Sequence, residues 1–266
     1  MIDMHCHVLP GIDDGPETID GSLALARAAA AAGTSTLVAT PHVSWRYPNN
    51  AETIARLVDE LNVCLEAEGA ALRVCRGAEI AMTLALDLSA DQLSQLHIGG
   101  GPWLLLEPTL MQPLTGLETI VRELQSAGHR ILLAHPERCV GFHQDPFLLE
   151  ALVNTGVLTS ITSGSLVGRF GAHVRRFALR IARDGLVHNV ASDAHDHSRR
   201  PPRIARELER SGLGPLAGWL TSAVPTAILN GEDVPSRPLD VDLSVPPGRQ
   251  PWWRRGREAP RWGSSR

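Results

Sequence analysis

His5 and His7 stand one residue apart at the start of the chain, in the stretch Met1-Ile2-Asp3-Met4-His5-Cys6-His7. Successive side chains of a β-strand alternate between its two faces, so residues i and i+2 project to the same side. Two imidazoles placed in this way suit one divalent metal ion, and Cys6 between them would point away. A His-x-His pair is weak evidence by itself, so the prediction depends on the rest of the chain.

Further candidate ligands follow the later apolar segments. Each carboxylate has a simpler structural alternative: Asp14 could cap the helix that follows Gly15-Pro16, while Glu79, Glu107 and Asp193 could be polar residues where strands end. Their recurrence at successive strand ends favours the ligand interpretation. The predicted set is His5, His7, Asp14, His42, Glu79, Glu107, His135, Asp193 and His195.

This set of side chains indicates a particular metal chemistry. Imidazoles and carboxylates at one site, without thiolates, suit Mn²⁺, Fe²⁺ or Zn²⁺ better than soft metals. One ion takes about four to six ligands, so the set predicts two or three divalent ions. Clustered ions activate water and neutralise an oxyanionic substrate, and their obvious use is hydrolysis of a phosphate ester.

Two arginines lie close in sequence to these ligands. Arg138 follows His135, and Arg200 follows His195. A planar guanidinium can hold two phosphate oxygens and stabilise charge in the transition state, which is the predicted role of both. Arg199 is the rival for the second position. Surface ion pairing is the structural alternative for each arginine.

Alternating strands and helices must position these residues. Helical spacing of apolar residues predicts helices over Glu17–Ala32, Ala51–Glu68, Leu114–Ala127, Pro146–Val153, Ala172–Arg183 and Arg203–Arg210. Seven short apolar segments predict strands over Ile2–His5, Thr36–Thr40, Leu72–Ala78, Trp103–Glu107, Arg130–Ala134, Val157–Ile161 and Leu186–Ala191.

This alternation predicts an α/β fold with a parallel sheet. Seven strands could close into a barrel or form an open, doubly wound sheet. An open sheet gathers its ligands around one switch point, whereas a barrel draws its site from the carboxyl ends of many strands. Candidate ligands follow six of the seven strands, so an irregular barrel is favoured.

Composition narrows the function. At 266 residues the chain can form one large domain. It contains no lysine, which excludes Schiff-base and P-loop chemistry. Six arginines and one glutamate after Pro247 give that segment a charge of +5, so the remainder carries −9 and lacks the basic face of a nucleic-acid binder.

Location is predicted from what the sequence lacks. No apolar segment reaches the length of a membrane span, which argues against membrane insertion. The first strand begins at Ile2 and leaves no room for a signal peptide, so a cytoplasmic location is expected. The four cysteines lack C-x-x-C spacing and are expected to stay reduced.

Residues 231–266, rich in Pro, Arg and Trp, are predicted to be a flexible C-terminal tail.

Five blocks of the sequence share one family resemblance. They are Ile-Asp-Met-His-Cys-His-Val-Leu-Pro-Gly-Ile-Asp-Asp-Gly-Pro, Ala-Thr-Pro-His, Gly-Ala-Glu-Ile, Ala-His-Pro-Glu-Arg and Ser-Asp-Ala-His. Together they resemble the PHP (polymerase and histidinol phosphatase) superfamily. Within it they look most like the manganese-dependent protein-tyrosine phosphatases of capsule and exopolysaccharide biosynthesis, the CpsB/CapC type. The resemblance covers residues 1–230, which are predicted to form a single PHP phosphatase domain.

The resemblance implies a distorted (β/α)7 barrel of the PHP type, similar to a TIM barrel. It also implies a trinuclear metal site, with Mn²⁺ first among the candidates, and a metal-held hydroxide that attacks phosphorus. It assigns ligand roles to all nine predicted residues and phosphate-binding roles to Arg138 and Arg200. Cys139 replaces the aromatic residue or asparagine usual after His-Pro-Glu-Arg, and the tail has no counterpart in the family.

These observations predict a metal-dependent phosphomonoesterase that acts on a phosphotyrosyl protein, by family resemblance a bacterial tyrosine kinase. A phenol of pKa near 10 needs little protonation on leaving; if a general acid exists, His195 is the candidate. A homo-oligomer is compatible with the sequence. The alternatives are a small-molecule phosphatase of the histidinol-phosphatase type, an amidohydrolase, and a non-catalytic module. Many amidohydrolases need a carbamylated lysine, which this chain cannot supply.

Overall fold

Parallel strands alternate with helices along the computed structural model, which describes residues 1–239. The predicted α/β class is therefore confirmed. The strands are β1 (Ile2–Cys6), β2 (Thr36–Ala39), β3 (His42–Val43), β4 (Arg73–Arg76), β5 (Glu79–Ala81), β6 (Trp103–Glu107), β7 (Arg130–Ala134), β8 (Leu158–Thr162) and β9 (Asn189–Ala191).

Hydrogen bonding groups these strands into two sheets, in the orders β1-β2-β4 and β3-β5-β6-β7-β8-β9. All neighbours within the sheets are parallel. An isolated bridge between Cys6 and Ala194 connects the end of β1 to the segment after β9. The hydrogen-bond pattern thus gives two adjoining sheets, whereas the sequence predicted one barrel wall.

The break between the sheets lies at the carboxyl ends of two predicted strands, and β3 and β5 follow beyond the predicted bounds. The predicted strand Thr36–Thr40 ends as β2, and Pro41, which has no N–H to donate, separates it from β3. The predicted strand Leu72–Ala78 is interrupted at Gly77, where a Cβ would lie 2.9 Å from Val38 Cγ1. At each of these points the chain leaves the first sheet and enters the second after two residues.

The same breaks position two candidate ligands. His42 opens β3 and Glu79 opens β5, and these two residues are direct partners in the register of the two strands. The larger sheet then continues through β6, whose last residue is Glu107. Three candidate ligands are thereby brought to one edge by three neighbouring strands.

All six predicted helices are confirmed, with ends that differ by a few residues, and four short helices were not predicted. The helices are α1 (Ile19–Ala31), α2 (Ala51–Ala67), α3 (Ala90–Gln95), α4 (Leu117–Ser126), α5 (Val140–Gln144), α6 (Pro146–Asn154), α7 (Ser163–Leu166), α8 (Ala172–Arg183), α9 (Ile204–Ser211) and α10 (Val224–Asn230).

Helix α1 begins later than predicted because Thr18 is its N-cap. The Thr18 hydroxyl accepts a hydrogen bond from the Gly21 N–H at 3.3 Å, which satisfies one of the free donors of the first turn. Residues 10–17 are consequently a loop. Asp14 lies in this loop and is not the helix cap, which removes the structural alternative considered for it.

The core lies between the sheets and the helices that cover them. Strands β6 and β7 are apolar along most of their length and almost fully buried, as expected for strands of a parallel sheet covered on both faces. Within residues 1–239 no helix is long and apolar enough to cross a membrane. All four cysteines are free thiols.

The chain after α10 runs along the body of the protein before the described residues end. The Trp219 indole donates to the Pro235 carbonyl at 2.9 Å, and Arg130 pairs with Asp233 at 3.5 Å. Val234 packs against the core. The tail predicted over residues 231–266 therefore has contacts in its first part, and residues 240–266 lie outside the described residues.

The environment of His188 predicts that the unfolding free energy falls at acid pH for a reason independent of the candidate site. Its Nδ1 accepts a hydrogen bond from the Thr159 N–H at 3.2 Å, which requires the neutral ring. Burial, together with the charge of Arg237, lowers the pKa of His188 from 6.5 to about 4. As pH falls, His188 binds a proton in the unfolded chain before it does so in the folded chain. The contribution of neutral His188 to the unfolding free energy is therefore complete above pH 6.5 and is lost between pH 6.5 and 4.

We expect His188 to account for about 2 kcal/mol of the unfolding free energy lost between pH 7 and pH 5. Denaturant titration of chelator-treated protein at both pH values measures this loss, and His188→Gln should lose less by that amount. His173→Gln, which changes an exposed histidine of α8, is the control. An equal loss in wild type and His188→Gln would contradict the assignment.

Candidate metal centre

All nine side chains predicted as ligands lie together where the strands end. They form four groups, and within each group the potential ligand atoms lie within 4.8 Å of one another. Each group shares one residue with the next, so the four groups close into a ring. They are His7-Asp14-His42-His195, His5-His7-Asp193, His5-Glu79-His135 and His42-Glu79-Glu107.

Glu79 belongs to two of the four groups. Its Oε1 lies 2.8 Å from His135 Nε2 and 3.3 Å from His5 Nε2. Its Oε2 lies 2.9 Å from His42 Nδ1 and 3.4 Å from His7 Nε2. One carboxylate that is 1% exposed thus faces four imidazoles, an arrangement suited to bridging two cations.

The outer corner of the ring is more open. Asp14 Oδ1 lies 3.4 Å from His42 Nε2 and 3.3 Å from His195 Nε2, and the Asp14 side chain is 46% exposed. The loop that carries Asp14 approaches the backbone closely, because a Cβ on Gly15 would lie 2.5 Å from the His7 carbonyl oxygen. Glycine at this position therefore allows the loop to fold over the end of β1.

Asp193 joins the ring to both predicted arginines. Its Oδ2 accepts hydrogen bonds from Arg138 Nη1 at 2.6 Å and Arg200 Nη2 at 2.7 Å. Its Oδ1 faces His5 Nε2 at 3.7 Å. Arg199, the rival to Arg200, is exposed. The structure therefore places Arg138 and Arg200 beside the ring and leaves Arg199 outside it.

Two of the predicted ligands have an uncommon backbone conformation. Within the described part of the chain, positive φ outside glycine occurs at His135 (31°) and Asp193 (49°). Residues other than glycine disfavour positive φ, and the few that adopt it concentrate at functional sites. His135 directly follows β7 and Asp193 follows β9 after Ser192, and the turn of the backbone aims both side chains into the ring.

Charges in the ring raise the pKa of two of its members. Burial lowers the pKa of His42, but Asp14 and Glu79 outweigh this effect and raise it to about 11. Burial and repulsion from Glu79 raise the pKa of Glu107 to about 7. The carboxylates thus hold a proton on His42 where no cation balances them, and a divalent cation would compete with that proton.

Sequence reasoning missed two buried aspartates behind the ligands. Asp13 Oδ2 lies 2.7 Å from His7 Nδ1, and its two oxygens also accept from the backbone N–H groups of Gly15 and His42. Asp3 Oδ1 accepts from the Ser192 N–H at 3.0 Å, which ties β1 to the end of β9. The adjacent pair Asp13-Asp14 was a signal for this role in the sequence. Neighbouring residues seldom face the same ion, so one of the two carboxylates was expected to lie outside the ring of ligands.

Neighbouring side chains complete the surroundings of the ring. Tyr47 stacks on the His42 ring with centroids 5.5 Å apart. Cys6 Sγ lies 3.6 Å from the Ala194 carbonyl oxygen, outside the ligand groups, as its position between two histidines predicted. Cys139 is fully buried and contacts the His135 carbonyl at 3.7 Å. It packs beneath a predicted ligand and has no surface in the mouth of the site.

Comparison with known proteins identifies the relatives of this chain. The family model for capsular polysaccharide synthesis, CpsB/CapC, matches residues 1–210. Tyrosine-protein phosphatase YwqE of Bacillus subtilis is 38% identical over 203 residues, which span 75% of this chain and 79% of YwqE. Tyrosine-protein phosphatase CpsB of Streptococcus pneumoniae is 26% identical over 215 residues, which span 79% of this chain and 88% of CpsB.

A solved structure gives the same relationship. A chain from the crystal structures of YwqE of Bacillus subtilis and CpsB of Streptococcus pneumoniae, described as metal-dependent tyrosine phosphatases, superposes with a TM-score of 0.81 at 33% identity. The match covers 91% of this chain and 100% of that chain. With the family model matched over most of its length, the chain belongs to the CpsB/CapC family.

Proposed function

We propose that this protein is a metal-dependent protein-tyrosine phosphatase. The observation that carries the proposal is the closed ring of nine imidazole and carboxylate side chains with two arginines at one edge. The named activity of the relatives YwqE and CpsB supports the same reaction. By the same relationship the substrate is a phosphotyrosyl protein, and we infer a tyrosine kinase of capsule or exopolysaccharide biosynthesis.

The residues of the ring fit divalent cations. His5 Nε2 and His7 Nε2 face each other at 3.2 Å in a buried position, and both also face carboxylate oxygens. Mixed nitrogen and oxygen donors without thiolate favour Mn²⁺, Fe²⁺ or Zn²⁺, of which we propose Mn²⁺. The nine side chains would hold two or three ions. When bound, such ions activate water as a nucleophile and neutralise charge on phosphoryl oxygens.

The arginines would hold the phosphoryl group. Arg138 and Arg200 each use a terminal nitrogen on Asp193, and among residues 1–239 their remaining N–H groups have no partner, which leaves them for phosphate oxygens. Asp193 fixes the direction of both guanidinium groups. Burial raises the pKa of Asp193, but the charges of His5, Arg200 and Arg138 outweigh burial and lower this pKa, so the carboxylate remains ionised beside the ring.

His195 fits a ligand role better than a proton donor role. Its Nε2 lies 3.3 Å from Asp14 Oδ1, and its ring packs 4.0 Å from the ring of His7. A nitrogen that coordinates a cation cannot also deliver a proton. Because the phenol of tyrosine has a pKa near 10, phenolate can leave without a dedicated acid.

The overall arrangement supports three further proposals. The bridge between Cys6 and Ala194 and the two-residue connection from β2 to β3 support one distorted (β/α)7 barrel formed by both sheets. We propose that residues 1–230 form the phosphatase domain and that the C-terminal segment from 231 on is not part of it. We also propose a cytoplasmic protein, in keeping with its four free cysteines.

Turnover with defined metals tests the proposed function. Chelator-treated protein is supplied with Mn²⁺, Zn²⁺ or Mg²⁺ and is given a phosphotyrosyl peptide and histidinol phosphate in parallel. We expect metal-dependent release of phosphate from the peptide. Release from histidinol phosphate alone would assign a small-molecule phosphatase, and no release with any metal would overturn the proposal.

Asp13 provides a test of the ligand assignment through its neighbour. Because Asp13 holds His7 Nδ1 at 2.7 Å, it orients the imidazole whose Nε2 enters the ring. Carboxylates in this position typically contribute about 10–100-fold to metal affinity. We therefore expect Asp13→Asn to weaken Mn²⁺ binding by about that factor. Competition with a chromophoric chelator measures the affinity.

Asp59→Asn is the control for this variant, since Asp59 is an exposed carboxylate of α2 that pairs only with Arg76 among the described residues. Its Mn²⁺ affinity should equal that of the wild type. Unchanged Mn²⁺ affinity in Asp13→Asn would show that His7 is oriented without this carboxylate.

A further inference from the structure

A second depression lies directly beside the ring. It has a volume of about 360 Å³ and is formed by Ala81–Thr83 after the start of β5 and by 107–112 at the end of β6. Glu107 belongs to both: it lines this depression and is a member of the ring with His42 and Glu79. The depression and the candidate metal centre therefore share Glu107 as a common wall.

The lining is mainly apolar, with Thr83, Thr109 and Gln112 as its uncharged polar members. Met82, Leu110 and Met111 contribute apolar side chains, and Glu107 is the one ionisable residue of the lining. Met82 is buried, whereas Met111 is 80% exposed. Methionine side chains are flexible and adapt to apolar partners of different shape. The chemistry of the wall thus favours an uncharged, apolar occupant.

Exposed apolar side chains extend the depression into a patch. Of the seven large apolar side chains exposed on the described residues, Trp45 follows β3 and Met111 follows β6, the two strands that flank β5. These three strands are neighbours in the larger sheet. The Trp45 indole donates to the Thr83 carbonyl at 3.3 Å, which attaches it to the rim. Clustered exposed apolar groups beside a site indicate an interaction surface.

We propose that this patch, consisting of Trp45, Met82, Leu110 and Met111, binds the apolar side chain next to phosphotyrosine in a peptide substrate. The inference rests on the proposed function. Neighbouring residues of an extended peptide are about 3.3–3.6 Å apart along the chain, so a residue beside a phosphotyrosine in the ring reaches an adjoining depression. An acidic neighbour would face Glu107 and leave the apolar wall unmatched.

Three phosphotyrosyl peptides and one small substrate test the proposal. The peptides carry leucine, serine or aspartate on both sides of the phosphotyrosine, and p-nitrophenyl phosphate has no neighbouring residue. For wild type we expect kcat/KM to be about 10-fold higher for the leucine peptide than for the serine peptide, the size expected from filling an apolar pocket. The aspartate peptide should be the poorest substrate.

Two substitutions locate the preference. Met111→Ser should reduce the leucine-to-serine ratio of kcat/KM toward one, chiefly through KM. Phe147→Ser is the matched control, because Phe147 is 78% exposed and lies on α6, away from the patch. It should leave the ratio unchanged.

The outcomes separate this inference from the function on which it rests. Turnover of p-nitrophenyl phosphate and of all three peptides at equal kcat/KM would overturn the apolar patch and retain the phosphatase. A leucine preference that persists in Met111→Ser and Trp45→Ala would also overturn it. Absence of turnover with every substrate and metal would overturn both.

Discussion

Glu79→Gln is expected to reduce turnover of a phosphotyrosyl peptide by about 10³-fold or more, and to lower the number of bound metal ions. Glu79 faces four imidazoles within 3.4 Å and lies in two of the four ligand groups. Glutamine has nearly the same shape but no charge, and an amide bridges two cations poorly. The ring would therefore lose its shared ligand while keeping its packing.

Steady-state kinetics and metal analysis of the purified variant measure both effects. Glu207→Gln is the matched control, because Glu207 is also a buried glutamate and pairs with Arg169 at 2.9 Å, but it lies in none of the ligand groups. Its turnover per folded molecule should remain close to wild type. Full metal content and turnover within 10-fold of wild type in Glu79→Gln would be incompatible with a bridging role.

Arg138→Ala is expected to lower kcat/KM by about 10²–10³-fold, the usual effect of removing one donor to a developing oxyanion. The Arg138 guanidinium is held on Asp193 and over the Phe170 ring, 4.4 Å from its centroid. Arg138→Lys keeps a positive charge but loses the planar pair of donors, so we expect it to restore activity only partly. Arg200→Ala should have a smaller effect in the same direction, since its side chain is more exposed.

Arg130→Ala is the control for this series. Arg130 opens the same strand β7 that leads to Arg138, and it likewise lies over an aromatic ring, 4.7 Å from the Trp103 centroid, and pairs with an aspartate. It is at the opposite end of the strand from the ring. Unchanged kcat/KM in Arg138→Ala, measured on metal-loaded protein, would remove this arginine from phosphate binding.

The sequence allowed the members of the ring to be placed together because most of them follow the carboxyl end of a strand. In a parallel sheet the carboxyl ends of the strands meet at one edge, so polar residues that follow buried apolar strands converge. Glu107 after Leu104–Leu106 and His135 after Ile131–Ala134 are examples. Helix α8 was predicted without error, since apolar spacing and the following Asp184-Gly185 marked its extent.

Other features depend on contacts between distant segments and could not be predicted. The close approach that favours glycine at position 77 involves Val38, which is remote in sequence. Asp14 was predicted as a ligand, but the place of Asp13 behind the ring depends on its contact with His7 Nδ1, which the sequence does not show. The division into two sheets follows from hydrogen bonds that local propensity does not determine.

The left-handed backbone of His135 and Asp193 links the site to the folding of the whole chain. Such conformations cost about 1–3 kcal/mol each, so the metal-free protein gives up stability at two strand ends in order to aim these side chains. Cations that bind the folded ring and not the unfolded chain would return free energy to the fold. Glycine at either position would relax the backbone and weaken the ring. Selection for function and selection for stability therefore oppose each other at His135 and Asp193.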